Sequence, residues 1–144
     1  MAKDGHIKAL AKSLIAAPRV EVYRSFSWFV CNSPGPLILG DVGCLFEVAG
    51  QKQYMTITGK DDDLKAVYLP ISSDRLIVGT ASPTAHFVDF DEINRAFAEH
   101  SRDYFICRED SDEGGELQKL LGTKALVLTD DEIKEIFIEV LAES

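Results

Sequence analysis

The chain has little of what most recognisable chemistry requires. Its three cysteines, Cys31, Cys44 and Cys107, are an odd number, widely spaced and set in apolar runs. No CxxC pair exists, so neither a zinc knuckle nor a redox dithiol is encoded, and buried free thiols are expected. Gly35, Gly40 and Gly43 lack the strand-to-helix setting of a phosphate-cradling loop. No GxSxG elbow surrounds Ser33, Ser72 or Ser73. No apolar run approaches the roughly 20 residues of a membrane-spanning helix, and the opening MAKDGHIKALAKSL is too polar for a signal peptide. A cytoplasmic protein with no membrane role is the expectation.

Basic charge is scarce as well. Fifteen Lys and Arg stand against 24 Asp and Glu, a net charge of −9. Nucleic-acid binding draws most of its affinity from Lys and Arg neutralising phosphates, so direct nucleic-acid binding is not expected. A basic protein partner or a cationic ligand fits this balance better, and self-association is expected on a separate ground, that a half-length domain leaves one sheet face uncovered. His6, His86 and His100 do not cluster in sequence, and no metal and no cofactor is expected.

What is present reads as a single α+β domain over residues 1–144: a mainly antiparallel sheet of short strands covered by an N-terminal helix and two or three C-terminal helices. Ile7, Leu10, Leu14 and Ile15 have helical spacing, and Pro18 would end that helix. Strand-type runs follow at residues 20–23, 27–31, 37–39, 44–48, 53–58, 66–69 and 76–78. Two capping boxes, Asp89 with Glu92 and Thr129 with Glu132, predict helices behind them. The second carries an apolar stripe of Ile133, Ile136, Phe137, Val140 and Leu141. Residues 104–107 and 125–128 read as strands, and Leu117, Leu120 and Leu121 as a short helix stopped by Gly122.

Three groups of polar residues are candidates for function. Asp61, Asp62 and Asp63 lie between two predicted strands and read as a hairpin turn, since a calcium loop needs spaced oxygen ligands and a closing glutamate. Glu109, Asp110, Asp112, Glu113 and Glu116 form an acidic cluster, read as a solvated loop and as a docking patch for a basic partner. Asp41 and Glu47 flank a strand turn as the carboxylates of restriction-type nucleases do, but that chemistry needs a lysine two residues past the second carboxylate, where Ala49 stands. In NSPGPLILGD (residues 32–41), Pro34 and Pro36 fix a turn that launches a buried aliphatic run.

Two stretches together point to a family. WFVCNSPGPLIL (residues 28–39) resembles a bacterial family of unknown function whose members carry a strand ending in a Ser-Asp-Asn-Pro loop, then an aliphatic strand. YLPISSDRLIVG (68–79) is similar to the family's next landmark, and DEINRAFAEHSRDYFIC (91–107) to its asparagine-containing helix and short strand. HIKALAKSL resembles the segment before the family's central strand, and order and spacing agree over residues 6–108. The match covers the family's C-terminal half. Either another chain supplies the helical half or this is a diverged stand-alone form. The loop aspartate has no counterpart, because Cys31-Asn32-Ser33-Pro34 stands in its place. The resemblance therefore implies a fold without an activity.

Two readings of function follow. The first is a small cytoplasmic protein that acts by binding, as a protein-interaction or accessory module in a bacterial or phage-related setting. The second is a hydrolase-type enzyme with a polar pocket near residues 32–41 and 70–74, built from Asn32, Ser33, Asp41, Ser72, Ser73 and Asp74. An enzyme brings Ser33 or Ser72 to a histidine or carboxylate inside a pocket. A binding protein leaves contiguous apolar surface uncovered.

Overall fold

The computed structural model describes residues 18–50, 53–56, 58, 62–82, 86–108, 112–127 and 129–142. The first element among the described residues, helix α1 (Pro18–Ser25), stands where the alternation of residues 20–23 predicts a strand. Local chemistry explains the difference. Proline is accommodated in a first helical turn, whose N–H groups have no intrahelical partner. Glu21 and Arg24 pair at 2.8 Å one turn apart, and the Ser25 hydroxyl donates to the Val22 carbonyl. Pro18 thus opens a helix. The helix expected before it, over residues 6–17, lies outside the described residues.

The strands are β1 (Ser27–Asn32), β2 (Leu39–Gly40), β3 (Leu45–Val48), β4 (Gln53–Met55), β5 (Leu64–Ser72), β6 (Arg75–Thr80) and β7 (Phe105–Ile106). Five of them form one antiparallel sheet in the order β1-β6-β5-β3-β4, while β2 and β7 pair separately. With helices α2 (Phe90–His100), α3 (Asp112–Gln118) and α4 (Asp130–Ala142), the architecture is the expected α+β with a mainly antiparallel sheet. Asp62 and Asp63 do not close a hairpin, because β3 lies between β4 and β5 and pairs with both. Strands β4 and β5 lie on opposite sides of β3 instead, and Asp61 lies outside the described residues.

The core forms on one face of the sheet. Cross-strand register aligns Phe29, Val78, Tyr68 and Leu45 in one row and Thr80, Ala66, Glu47 and Tyr54 in the next. Helix α2 lays Ile93, Ala96 and Phe97 against this face, and the Asp89 carboxylate accepts from the Glu92 N–H to cap its start. Of the expected strand 37–39, only Leu39 enters a ladder. Leu37 and Ile38 are fully buried without one, tied down by the Asn94 side chain of α2, which accepts from the Ile38 N–H and donates to the Pro36 carbonyl.

The C-terminal third departs further from expectation. Acidic residues favour the first turn of a helix, and Asp112, Glu113 and Glu116 lie on α3, not in a loop. Glu109 and Asp110 lie outside the described residues. Helix α3 stops at Gln118, short of Leu120 and Leu121, and Gly122 adopts the left-handed conformation (φ +75°) within the turns that follow over residues 119–124. Residues 125–127 form no strand, since no ladder partner adjoins them, and Leu126 and Val127 are exposed. The capping box at α4 is complete: Glu132 accepts from the Thr129 N–H at 2.7 Å and returns its own N–H to the Thr129 hydroxyl.

Candidate functional site

Sequence reasoning places a polar pocket at residues 32–41 and 70–74, and the fold does bring most of these residues together. Asn32 pairs with Arg75 at the end of β1, and the Ser33 N–H donates to the Asp74 carbonyl at 2.8 Å. The Leu37 N–H donates to the Ser73 carbonyl at 2.7 Å. The side chains are engaged locally. The Ser33 hydroxyl donates to the Gly35 carbonyl and the Ser72 hydroxyl to the Asp74 carboxylate, at 2.6 Å each. The Ser72 bond holds the Asp74 carboxyl below its usual range. It is nevertheless a contact across an exposed turn.

Asp41 lies elsewhere. Its carboxylate accepts the backbone N–H groups of Arg102, Asp103 and Tyr104 just past the end of α2. Burial opposes the charge, but these donors outweigh it and lower the Asp41 pKa. Asp41 therefore anchors a loop, at the opposite end of α2 from the partners of Glu47. The two carboxylates do not form a shared metal pair.

The most chemically organised site is a cleft of about 490 Å³ between the sheet and the segment entering α2. Its floor is the row of Thr80, Glu47 and Tyr54 with Tyr68 beside it, and its rim includes Lys65, His86, Phe87, Asp89 and Glu92. Glu47 is buried, and each of its oxygens has a partner: Lys65 Nζ at 2.7 Å on one and the Tyr68 hydroxyl at 2.5 Å on the other. Since Tyr68 has one proton and gives it to Glu47, its oxygen accepts from His86 Nε2 at 2.6 Å. The result is a chain from imidazole through phenol to carboxylate.

The electrostatics keep each group in a defined state. Burial disfavours the Glu47 charge, but hydrogen bonds from Lys65 and Tyr68 and the charge of Lys65 more than offset it, and the carboxyl stays below its usual range. Burial, then the bond to Glu47, drives the Tyr68 pKa strongly upward, so the phenol stays neutral. Tyr54 moves the same way through burial and the nearby charges of Glu92, Glu47 and Asp89. Such an arrangement can hold and relay a proton at His86 Nε2 and offers a negative, aromatic-walled recess to a ligand.

Sequence reasoning names Glu47 and His86 singly and misses Tyr54, Lys65 and Tyr68. One signal was readable: Glu47 is the lone charge inside an apolar run, and a buried carboxylate requires partners. His100, at the end of α2, is pushed toward its neutral form by burial and by the charge of Lys124. Cys31 and Cys44 are half-buried, with burial raising both thiols. Cys107 is exposed, contrary to expectation, because β7 lies at the periphery. Among the described residues, no cluster of three or more His, Cys, Asp or Glu is arranged to hold a metal, and no helix is long and apolar enough to cross a membrane.

Apolar surface is the second notable feature. On the sheet face away from α2, Trp28 lies over Gly79, where a Cβ would meet the indole at 2.6 Å. The next row is Val30, Ile77 and Leu69. Trp28 (48% exposed), Val30 (58%) and Ile71 (48%) remain open to solvent, as do Phe137 (64%), Ile138 (66%) and Leu141 (71%) on α4. No family model, no curated protein and no solved structure matches this chain.

Proposed function

We propose that this chain is a small protein that acts by binding another protein, as an interaction or accessory module. The observation that supports this reading is the apolar sheet face around Trp28, Val30 and Ile71, which is more exposed than folding alone requires. A groove of about 800 Å³ carries Asp89, Asp91, Glu92 and Glu116 together with Arg95 and Lys119, so its acidic excess supports a basic character in part of the partner surface only modestly. A cytoplasmic location and a bacterial or phage-related setting accompany this reading and rest on the sequence alone. The test is affinity capture from a native lysate with the wild type and the Ile71→Glu variant in parallel. The expected outcome is a partner held by the first and lost by the second; identical captured sets overturn the proposal.

A second reading, acid–base chemistry in the cleft, has one observation in its favour: the His86–Tyr68–Glu47 chain. It moves the enzyme alternative away from residues 32–41 and 70–74, whose hydroxyls are engaged in turn contacts. A hydrolase substrate panel run with His86→Ala beside wild type tests it. Turnover that disappears in the variant supports the reading, and no turnover by the wild type counts against it.

A further inference from the structure

The sheet ends on one side in β4, three residues long, and on the other in β1, six residues long. Which backbone groups of β1 face outward follows from register. Ser33 N–H donates to the Asp74 carbonyl, so the pair 33/74 is hydrogen-bonded, and pairs 31/76, 29/78 and 27/80 share its phase. The other side of β6 agrees: Ala81 N–H donates to the Lys65 carbonyl, which assigns the odd-numbered residues of β6 to β5 and the even-numbered ones to β1. Trp28, Val30 and Asn32 therefore point both N–H and C=O away from the sheet. None of these backbone groups has a partner among the described residues.

Native edge strands are commonly blunted by charge, proline, a bulge or short length. Strand β1, SWFVCN, contains no charge and no proline, and it pairs with β6 through six consecutive residues without a register shift. The Trp28 indole leans back over Gly79, and Phe29 and Val30 are 37% and 58% exposed. The edge is long, flat, uncharged and apolar.

We propose that β1 pairs antiparallel with β1 of a second copy, about a two-fold axis at Val30, joining two five-stranded sheets into one. This rests on the binding reading above and names one partner as the chain itself. The strand is self-complementary. About Val30 the pairs are Val30 with Val30, Trp28 with Asn32, and Phe29 with Cys31. The two members of each pair share a face, and all outward N–H and C=O groups of Trp28, Val30 and Asn32 are matched, six hydrogen bonds in all. Pro34 and Pro36 limit the ladder to this stretch. The net charge of −9 opposes association at long range, and a single strand pair buries less than the roughly 1,200 Å² of a standard stable interface. The dimer is therefore weak and strengthened by salt.

The test is sedimentation equilibrium from about 10 µM to about 1 mM, with far-UV circular dichroism and thermal melts as fold controls. Wild type is expected to show a concentration-dependent monomer–dimer equilibrium that shifts toward dimer in added salt. Val30→Pro removes an outward N–H and leaves the β1–β6 ladder intact, so it is expected to melt like wild type and sediment as a monomer. Val30→Lys serves the same purpose if proline disturbs the strand. Phe29 and Cys31 of opposite copies form a non-hydrogen-bonded pair, close enough for a disulfide. Phe29→Cys in a Cys107→Ser background, treated with oxidised glutathione as the electron acceptor, is accordingly expected to form a covalent dimer. A wild type that stays monomeric throughout overturns the pairing, as does a folded Val30→Pro or Val30→Lys variant that dimerises like wild type. A monomeric wild type that still captures a partner lost by Ile71→Glu overturns the pairing and leaves the binding reading standing.

Discussion

The two faces of the sheet are nearly equal in apolar character and opposite in fate. One row, Leu45, Tyr68 and Val78, is sealed beneath Phe97 and Ile93 of α2. On the other face, Val30 and Leu69 flank Ile77 with solvent above them. A strand's hydrophobicity thus reports that something covers it without saying whether the cover belongs to the same molecule. The sealed face also holds the polar network of Glu47, Tyr68 and His86, which closes on itself because buried polar groups require partners.

The comparison breaks most readily at its sealed side. Phe97→Ala leaves a cavity in a fully buried site and is expected to cost about 3–5 kcal/mol, read as a lower urea midpoint. Glu47→Ala leaves the Tyr68 hydroxyl proton without its acceptor. Lys65 is half exposed and recovers water, so the expected loss is about 1–3 kcal/mol, from the desolvated phenol. The conservative Glu47→Gln change is expected to cost less.

The pH dependence sharpens the same contrast. Glu47 and Glu99 both have folded pKa values below the ordinary 4.5. For Glu99, burial acts against its charge and the bonds from Lys124 and Arg95 prevail. A depressed folded pKa means that the unfolded chain takes up protons first as pH falls. Stability from these two groups is therefore fully present above about pH 6, starts to fall near pH 4.5 and is lost as pH drops through the folded values. His100, also depressed from 6.5, adds a loss that begins higher on the acid side. Equilibrium unfolding at several pH values measures this, and Glu47→Gln is expected to flatten the slope below pH 5. At the open side the effect is smallest: Ile71→Ser and Phe137→Ser are expected to change stability by about 0.5 kcal/mol or less. A loss above about 2 kcal/mol for either would show that its surface is covered within the chain.

Local signals were legible where chemistry between near neighbours decides the outcome. The caps at Asp89 and Thr129 are such cases; the helix end expected at Gly122 is not, since the helix stops at Gln118. NSPGPLILGD reads as a scaffold turn, and it is one, with Asn94 holding it from 56 and 58 residues away. Alternation at residues 20–23 misled because a short helix with a favourable first turn and an ion pair carries the same pattern. Residues 125–127 misled for another reason: strand propensity needs an open ladder beside it. The resemblance to a Ser-Asp-Asn-Pro family rests on its motifs alone.

By itself, the sequence determined the α+β class, the two helix caps and a net acidic charge, because these follow from composition, spacing and contacts a few residues long. Only tertiary structure decided that Asp41 is an anchor, that Glu47 meets Tyr68 and His86, and that β1 lies at an edge with its even-numbered backbone groups facing out. Each of these depends on which strand adjoins which, and the order β1-β6-β5-β3-β4 arises from packing between distant segments that no local pattern encodes.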